Sequence, residues 1–323
     1  MNGEVTASRR VIPVVAPTPY DVGDVNMFLV SDERTLTLID AGDDSEACWD
    51  ALHGALERAG FALRDLSQIL ITHSHPDHTG LVNRITALTD VPVYAHPEAV
   101  PRLTREPDFL SMRASFYKRL YREMGCGETG ERHAARLQRA IRDNDPSKIK
   151  APIRTLRESD RIGAYRVIEV PGHSPDHLAF WDEREKRLFA GDHLIRHISS
   201  NAFVEPDREG NRIPTLVAYA LSLTKCLELK ADIVYTGHGE PVDRPHELIG
   251  KRLARIEEKA EKLKAYIRSG STTAFQLAQV LYPHKYDSEF SAVMSEIIGL
   301  LDYAESKAAI GKAMRSGVWH YEA

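Results

Sequence analysis

Residues 68–78 read QILITHSHPDH, an apolar run followed at once by three imidazoles and a carboxylate within six residues. Imidazole nitrogen and carboxylate oxygen together suit Zn²⁺, Fe and Mn²⁺. In an extended segment His73 and His75 point to the same side. A turn at Pro76 then lets Asp77 and His78 face a second position, so one short loop can serve two metals. The plain alternative is a solvated, histidine-rich loop. Four ligand-type residues directly after a buried strand argue against it.

Three further segments place a ligand-type residue beside glycine just after an apolar run: Gly172-His173, Gly191-Asp192 and Gly237-His238. Glycine permits tight turns and close backbone approach. Each segment alone is weak evidence. With the first motif they make seven candidate ligands in four strand-end loops.

The surrounding pattern is layered. Residues 25–30 and 35–39 read as strands, 45–59 as an amphipathic helix stopped by Gly60, 68–71 and 92–95 as strands, and 79–88 as a helix. Strand signals return at 165–170, 178–182, 187–190 and 232–235, with a helix over 214–228. This alternation predicts an α/β domain. Residues 104–150 interrupt it with two helices around a break at 125–130. Extended to Arg154, this stretch carries twelve Lys or Arg against seven Asp or Glu. It reads as an insertion that either gates substrate or simply forms a solvated helical pair. After Pro245 the texture changes to helices over 246–268, about 272–281 and 288–306, then a hairpin over 309–321. That is a winged-helix pattern, and it predicts a division into residues 1–245 and 246–323.

HxHxDH, then PGH, GD and GH in this order resembles the metallo-β-lactamase superfamily, on its glyoxalase II-like side, over roughly residues 10–245. The resemblance implies an αββα sandwich, here with a small C-terminal winged-helix-like domain. It implies two divalent metal ions, zinc first, with Fe or Mn also admitted. His73, His75 and His173 would bind the first, and Asp77, His78 and His238 the second. Asp192 would bridge them, and Asp77 would also aim an attacking hydroxide. Asp40, in LIDAG, would orient ligands from behind or cap the next helix. His177 has a supporting or packing role, and His193 and His197 are candidates for the substrate pocket.

The resemblance implies a hydrolase and leaves the substrate open. A thioester or related ester comes first, since the aspartate of HxHxDH completes the second metal position. Arg113, Lys118, Arg119 and Arg122 in the basic stretch are candidates for holding an anionic acyl carrier. A nuclease or nucleic-acid binder is the second reading, and a lactonase the third. Against nucleic acid, residues 287–306 hold Asp287, Glu289, Glu296, Asp302 and Glu305 and no Lys or Arg, and net charge is −5. Val293, Ile297, Ile298, Leu300 and Leu301 could instead serve core packing or a homodimer. No apolar stretch approaches a membrane span or a secretory signal. Three scattered cysteines form no disulfide framework. A small-molecule substrate and a cytoplasmic setting are therefore expected.

Overall fold

A computed structural model describes residues 9–142 and 147–323. Two sheets stack face to face. The first runs in the order β1 (Arg10–Ala16), β2 (Val25–Ser31), β3 (Leu36–Ile39), β4 (Gln68–Leu70), β5 (Val93–Ala95), β6 (Ile153–Thr155). Its first three strands pair antiparallel and β3 through β6 run parallel. The second contains β7 (Arg161–Ile162), β8 (Tyr165–Glu169), β9 (Leu178–Asp182), β10 (Arg187–Gly191) and β11 (Ile233–Thr236), in spatial order β11-β10-β9-β8-β7. Here β10 and β11 are parallel and the other pairs antiparallel.

Burial explains the strand sequences. Strand β2 is apolar along most of its length because both its faces are covered. Val25, Met27 and Leu29 point to the outer helices, while Phe28 and Val30 point to the second sheet. Between the sheets, Phe28, Ile39 and Leu70 meet Tyr165, Val167, Leu178, Phe180 and Phe189. Outside the first sheet lie α1 (Glu46–Ala59), the single turn α2 (Pro76–Thr79) and α3 (Val82–Thr86). Outside the second sheet lie α7 (Thr215–Glu228) and the elements described below. The architecture is αββα, as the alternation of strands and helices indicated.

Two differences from the sequence pattern have local causes. Strand β1 carries Pro13, which weakens a strand signal. It sits at the sheet edge, where a missing N–H costs no ladder bond. The helix expected over 79–88 is preceded by the separate turn α2. Pro76 starts that turn inside the motif, its φ already suited to a first helical position.

The inserted stretch forms α4 (Val100–Leu103), α5 (Pro107–Glu123) and α6 (Gly127–Arg142). The C-terminal segment forms α8 (Pro245–Arg268), α9 (Ala274–Leu281), α10 (Phe290–Ser306) and a hairpin of β12 (Gly311–Arg315) and β13 (Val318–Glu322). These elements do not have a separate core. Phe116 and Tyr121 of α5, Trp181 of β9, Leu223 of α7, Leu263 of α8, Phe290 and Ile297 of α10 and Tyr321 of β13 belong to one continuous apolar cluster. Among the described residues, no helix is long and apolar enough to cross a membrane.

Candidate metal centre

The four strand-end loops open at one end of the sandwich. Strands β8, β10 and β11 run in one direction, so the loops carrying His173, Asp192 and His238 leave the second sheet together. The loop after β4 comes up beside them from the first sheet. Asn26 N donates to Gly237 O at 2.7 Å, and the Asn26 amide reaches Thr236 O and Gly239 O. These bonds tie the two sheets at the site end. Gly237 shows why glycine precedes a ligand here. A Cβ at that position would sit 2.2 Å from Asp192 Oδ1 and 2.7 Å from the His78 ring. Gly172, at φ +149°, passes against the Tyr219 backbone, where a Cβ would lie 2.5 Å from its Cα.

All seven residues come together. His75 Nδ1 lies 3.0 Å from His73 Nε2 and 3.0 Å from His173 Nε2. His238 Nε2 lies 3.4 Å from Asp77 Oδ2, and His78 Nε2 lies 3.9 Å from Asp77 Oδ1. Asp192 stands between the groups. Its Oδ2 is 3.5 Å from His173 Nε2, and its Oδ1 is 3.4 Å from His78 Nε2 and 3.5 Å from His238 Nε2. His73, His75 and His173 form one group that could hold a metal ion, and Asp77, His78 and His238 another.

The opposite nitrogen of most of these rings is tied elsewhere. His78 Nδ1 donates to Asp40 Oδ2 at 2.9 Å, His173 Nδ1 to Asn201 O at 2.9 Å, and His238 Nδ1 to Asp24 O at 2.8 Å. His73 Nδ1 meets Thr72 Oγ1 at 3.0 Å. Such outer bonds fix ring orientation and leave the inner nitrogen as a lone pair. Asp40 also accepts from Thr72 N and Thr72 Oγ1 at 2.8 Å each, so it braces the motif. It does not cap the next helix, because Ser45 accepts from Cys48 N there. His177 stacks on His73, and its Nε2 accepts from Asp192 N at 3.2 Å.

Electrostatics favours cations between these groups. Burial, with His78 and His75 beside it, holds His73 well below the usual histidine range. Burial and His75 take His173 down to about 4. Burial opposes the charge of His78 as well, but Asp192, Asp40 and Asp77 outweigh it and push its pKa well up. Burial is likewise overcome at His238, which Asp192 and Asp77 raise to about 9. Burial would raise Asp77, yet His78 and His238 hold it at about 2. The buried carboxylates thus demand positive charge. Asp192 Oδ1, His78 Nε2 and His238 Nε2 are buried with no hydrogen-bond partner among the described residues. Unmatched donor atoms converging on a common point fit divalent ions.

Above the centre lies a cavity of 410 Å³ whose walls are mostly apolar. Val22, Leu137, Ile195, Ile198 and Phe203 line it, as do Ser291 and Ser295 of α10. The inserted and C-terminal helices therefore both face the site. Neither His193 nor His197 is among the lining residues, which corrects the expectation from sequence. His193 is buried against the Tyr219 ring, and His197 is exposed, meeting Val22 O at 3.4 Å. Of the four basic candidates on α5, Arg113 alone lines the cavity. Lys118, Arg119 and Arg122 are exposed. Sequence reasoning missed Phe203, whose ring stands edge-on to His75 and His173. It also missed Tyr20, whose hydroxyl donates to Asp43 beside Asp77. Both lie in irregular loops that carry no motif.

Comparison with known proteins agrees with this geometry. The family model described as the metallo-beta-lactamase superfamily matches residues 20–238. The probable metallo-hydrolase YqjP of Bacillus subtilis (strain 168) is 32% identical over 302 residues, which is 93% of each chain. An atrochrysone carboxyl ACP thioesterase of Aspergillus fumigatus is 24% identical over 309 residues, covering 91% of this chain and 59% of that protein. A metallo-beta-lactamase family protein from Thermus thermophilus has a TM-score of 0.79 at 26% identity, covering 97% of this chain and 98% of that one. With its sandwich, its ligand loops and these relatives in agreement, the chain belongs to the metallo-beta-lactamase superfamily.

Proposed function

We propose that the protein is a two-metal hydrolase of thioesters or related esters. In this reading His73, His75 and His173 hold one ion, Asp77, His78 and His238 hold the second, and Asp192 bridges. The observation that carries it is the convergence of seven donor side chains, four of which, His75, Asp77, His173 and Asp192, line a mostly apolar cavity. Divalent ions there, zinc first with Fe and Mn also suited to nitrogen and oxygen donors, would supply a Lewis acid for a carbonyl and acidify a water for attack.

The chain's own groups do the rest. Asp77, ionised at neutral pH, accepts a hydrogen bond from the attacking water and aims it. Asp40 keeps the His78 ring in place, and His177 holds the Asp192 backbone. Phe203 screens His75 and His173 from solvent. The apolar walls take the acyl group. A thioester is favoured by that cavity and by a relative named as an acyl-carrier thioesterase.

The nucleic-acid reading loses its footing. Helix α10, which would be the reading helix, buries Phe290, Val293, Met294, Ile297, Ile298, Leu300 and Leu301, and it packs on α7, α8 and α9. The positions it leaves less buried include Ser291, Glu296 and Glu305 and no Lys or Arg, which suits a phosphate backbone poorly.

The test is a panel of acyl thioesters, lactones and phosphodiesters presented to metal-loaded protein. Thioester turnover should exceed the others by roughly tenfold or more, a difference of about 1.4 kcal/mol in barrier. Chelation should abolish it and added metal restore it. Turnover indifferent to chelation, or fastest on phosphodiesters, would overturn the reading.

A further inference from the structure

Two cavities open onto the metal centre, and their walls differ. The smaller, of 240 Å³, is lined in part by Arg102, Asp176 and Glu205, so a hydrocarbon gains little there. The larger, of 410 Å³, extends from His75, Asp77, His173 and Asp192 to side chains of α5, α6 and α10. The exposed Tyr20 and Ile198 mark its mouth.

Contacts order the wall that leads away from the centre. The Phe203 ring stands 5.9 Å from the His75 ring and 5.6 Å from the His173 ring. The next residue, Val204, donates its N–H to Ser295 Oγ at 3.1 Å and accepts from the Tyr117 hydroxyl at 2.7 Å. Tyr117 stacks on Tyr121 at 5.7 Å, and the Tyr121 hydroxyl is hydrogen-bonded to Ser291. Leu137 of α6 joins this far wall. The path thus runs from imidazoles past Phe203 to α10, one turn of which separates Ser295 from Ser291. Each of these hydroxyls already has a partner in the protein. Arg113 and Glu205, which also line the cavity, hold each other, with Arg113 Nε 2.8 Å from Glu205 Oε2. What is left to meet a ligand is mostly carbon. A dry cavity of about 150 Å³ accepts benzene, so by proportion 410 Å³ has room for about sixteen carbons, and about ten to twelve once the scissile group is seated.

We propose that the larger cavity takes a medium-length hydrocarbon acyl chain, of about ten to twelve carbons, and that Leu137 of α6 with Ser291 and Ser295 of α10 sets the length limit. Placing an acyl chain here rests on the thioester reading, whereas the length limit rests on the wall. Selectivity for acyl length would then come from the inserted and C-terminal helices, and the chemistry from the sandwich.

The test is calorimetric titration of full-length, metal-loaded protein with ketone analogues of acyl thioesters. A methylene between carbonyl and sulfur makes them resistant to hydrolysis. Affinity should rise up to about fourfold for each added methylene, then level off at about ten to twelve carbons, where the chain outgrows the cavity. In Ser291→Phe the break should come about two to three carbons earlier, and in Leu137→Ala about two to three carbons later. Ser291 is exposed and Leu137 half-buried, so neither change empties a core position, and metal content should match the wild type. Ser295 is left in place because Val204 N depends on it. Lys118→Gln, at an exposed position outside the cavity wall, should leave the break where it was. Affinity that does not grow with chain length overturns the assignment, as does a break that stays put in both wall variants or moves equally in Lys118→Gln. If the break shifts as expected while no thioester is turned over, the thioesterase reading alone fails. If thioesters are turned over but the wall variants move no break, the length limit alone fails.

Discussion

Asp40 touches no cavity, yet it holds the motif through three hydrogen bonds, one of them to His78 Nδ1. It sits at φ 58°, a left-handed conformation that asparagine also tolerates. Asp40→Asn should therefore fold, but it removes the carboxylate that keeps the ring oriented and electron-rich. Metal affinity should drop about 10- to 100-fold, as for other supporting carboxylates. Competition against a chelating dye reads this directly, and unchanged affinity would remove Asp40 from the site. The same reasoning separates what could be seen in the residues from what could not. His73, His75, Asp77 and His78 are neighbours in sequence and declare themselves. Asp40 is picked out in the sequence only through the resemblance of LIDAG, with helix capping as an equal alternative, because its pairing with His78 spans 38 positions and no local spacing records it.

At the scale of elements, most helices and strands were legible because their apolar faces repeat with the expected period. Strand β1 was not, since Pro13 masks an edge strand. Helix α10 was legible as a helix, but its surroundings were not. Asp302, counted by sequence among the acids that speak against nucleic-acid binding, is buried, with Oδ1 2.8 Å from Arg212. Burial pushes its pKa up to about 6, Arg212 offsetting only part of the effect. The folded state thus binds this proton more tightly than the unfolded chain. The associated stability is fully present below about pH 4 and is lost as pH rises through about 6. In urea melts across that window, Asp302→Asn should flatten the decline by about 3 kcal/mol. Curves that stay parallel would show that Asp302 titrates normally.

For the whole molecule, the change of texture after Pro245 suggested two units, whereas the apolar cluster runs from α5, β9 and α7 into α8, α10 and β13 without interruption. Ser291 and Ser295 of α10 also line the larger cavity. A chain ending at residue 244 would expose one side of that cluster, including Leu223 and Tyr219. It should express as an insoluble or non-cooperatively unfolding protein. A soluble 1–244 fragment with a sharp urea transition would show that the C-terminal helices are dispensable for the fold.

The sandwich and its ligand loops could be read from the chain, because strand periodicity and a dense run of imidazoles and carboxylates are local properties. What surrounds them was set only when the layers packed. Glu205 meets Arg113 across 92 positions, Phe203 reaches His75, and α10 closes the cavity from the far end of the chain. Such neighbours depend on how layers stack and loops cross, and no spacing within the chain records them.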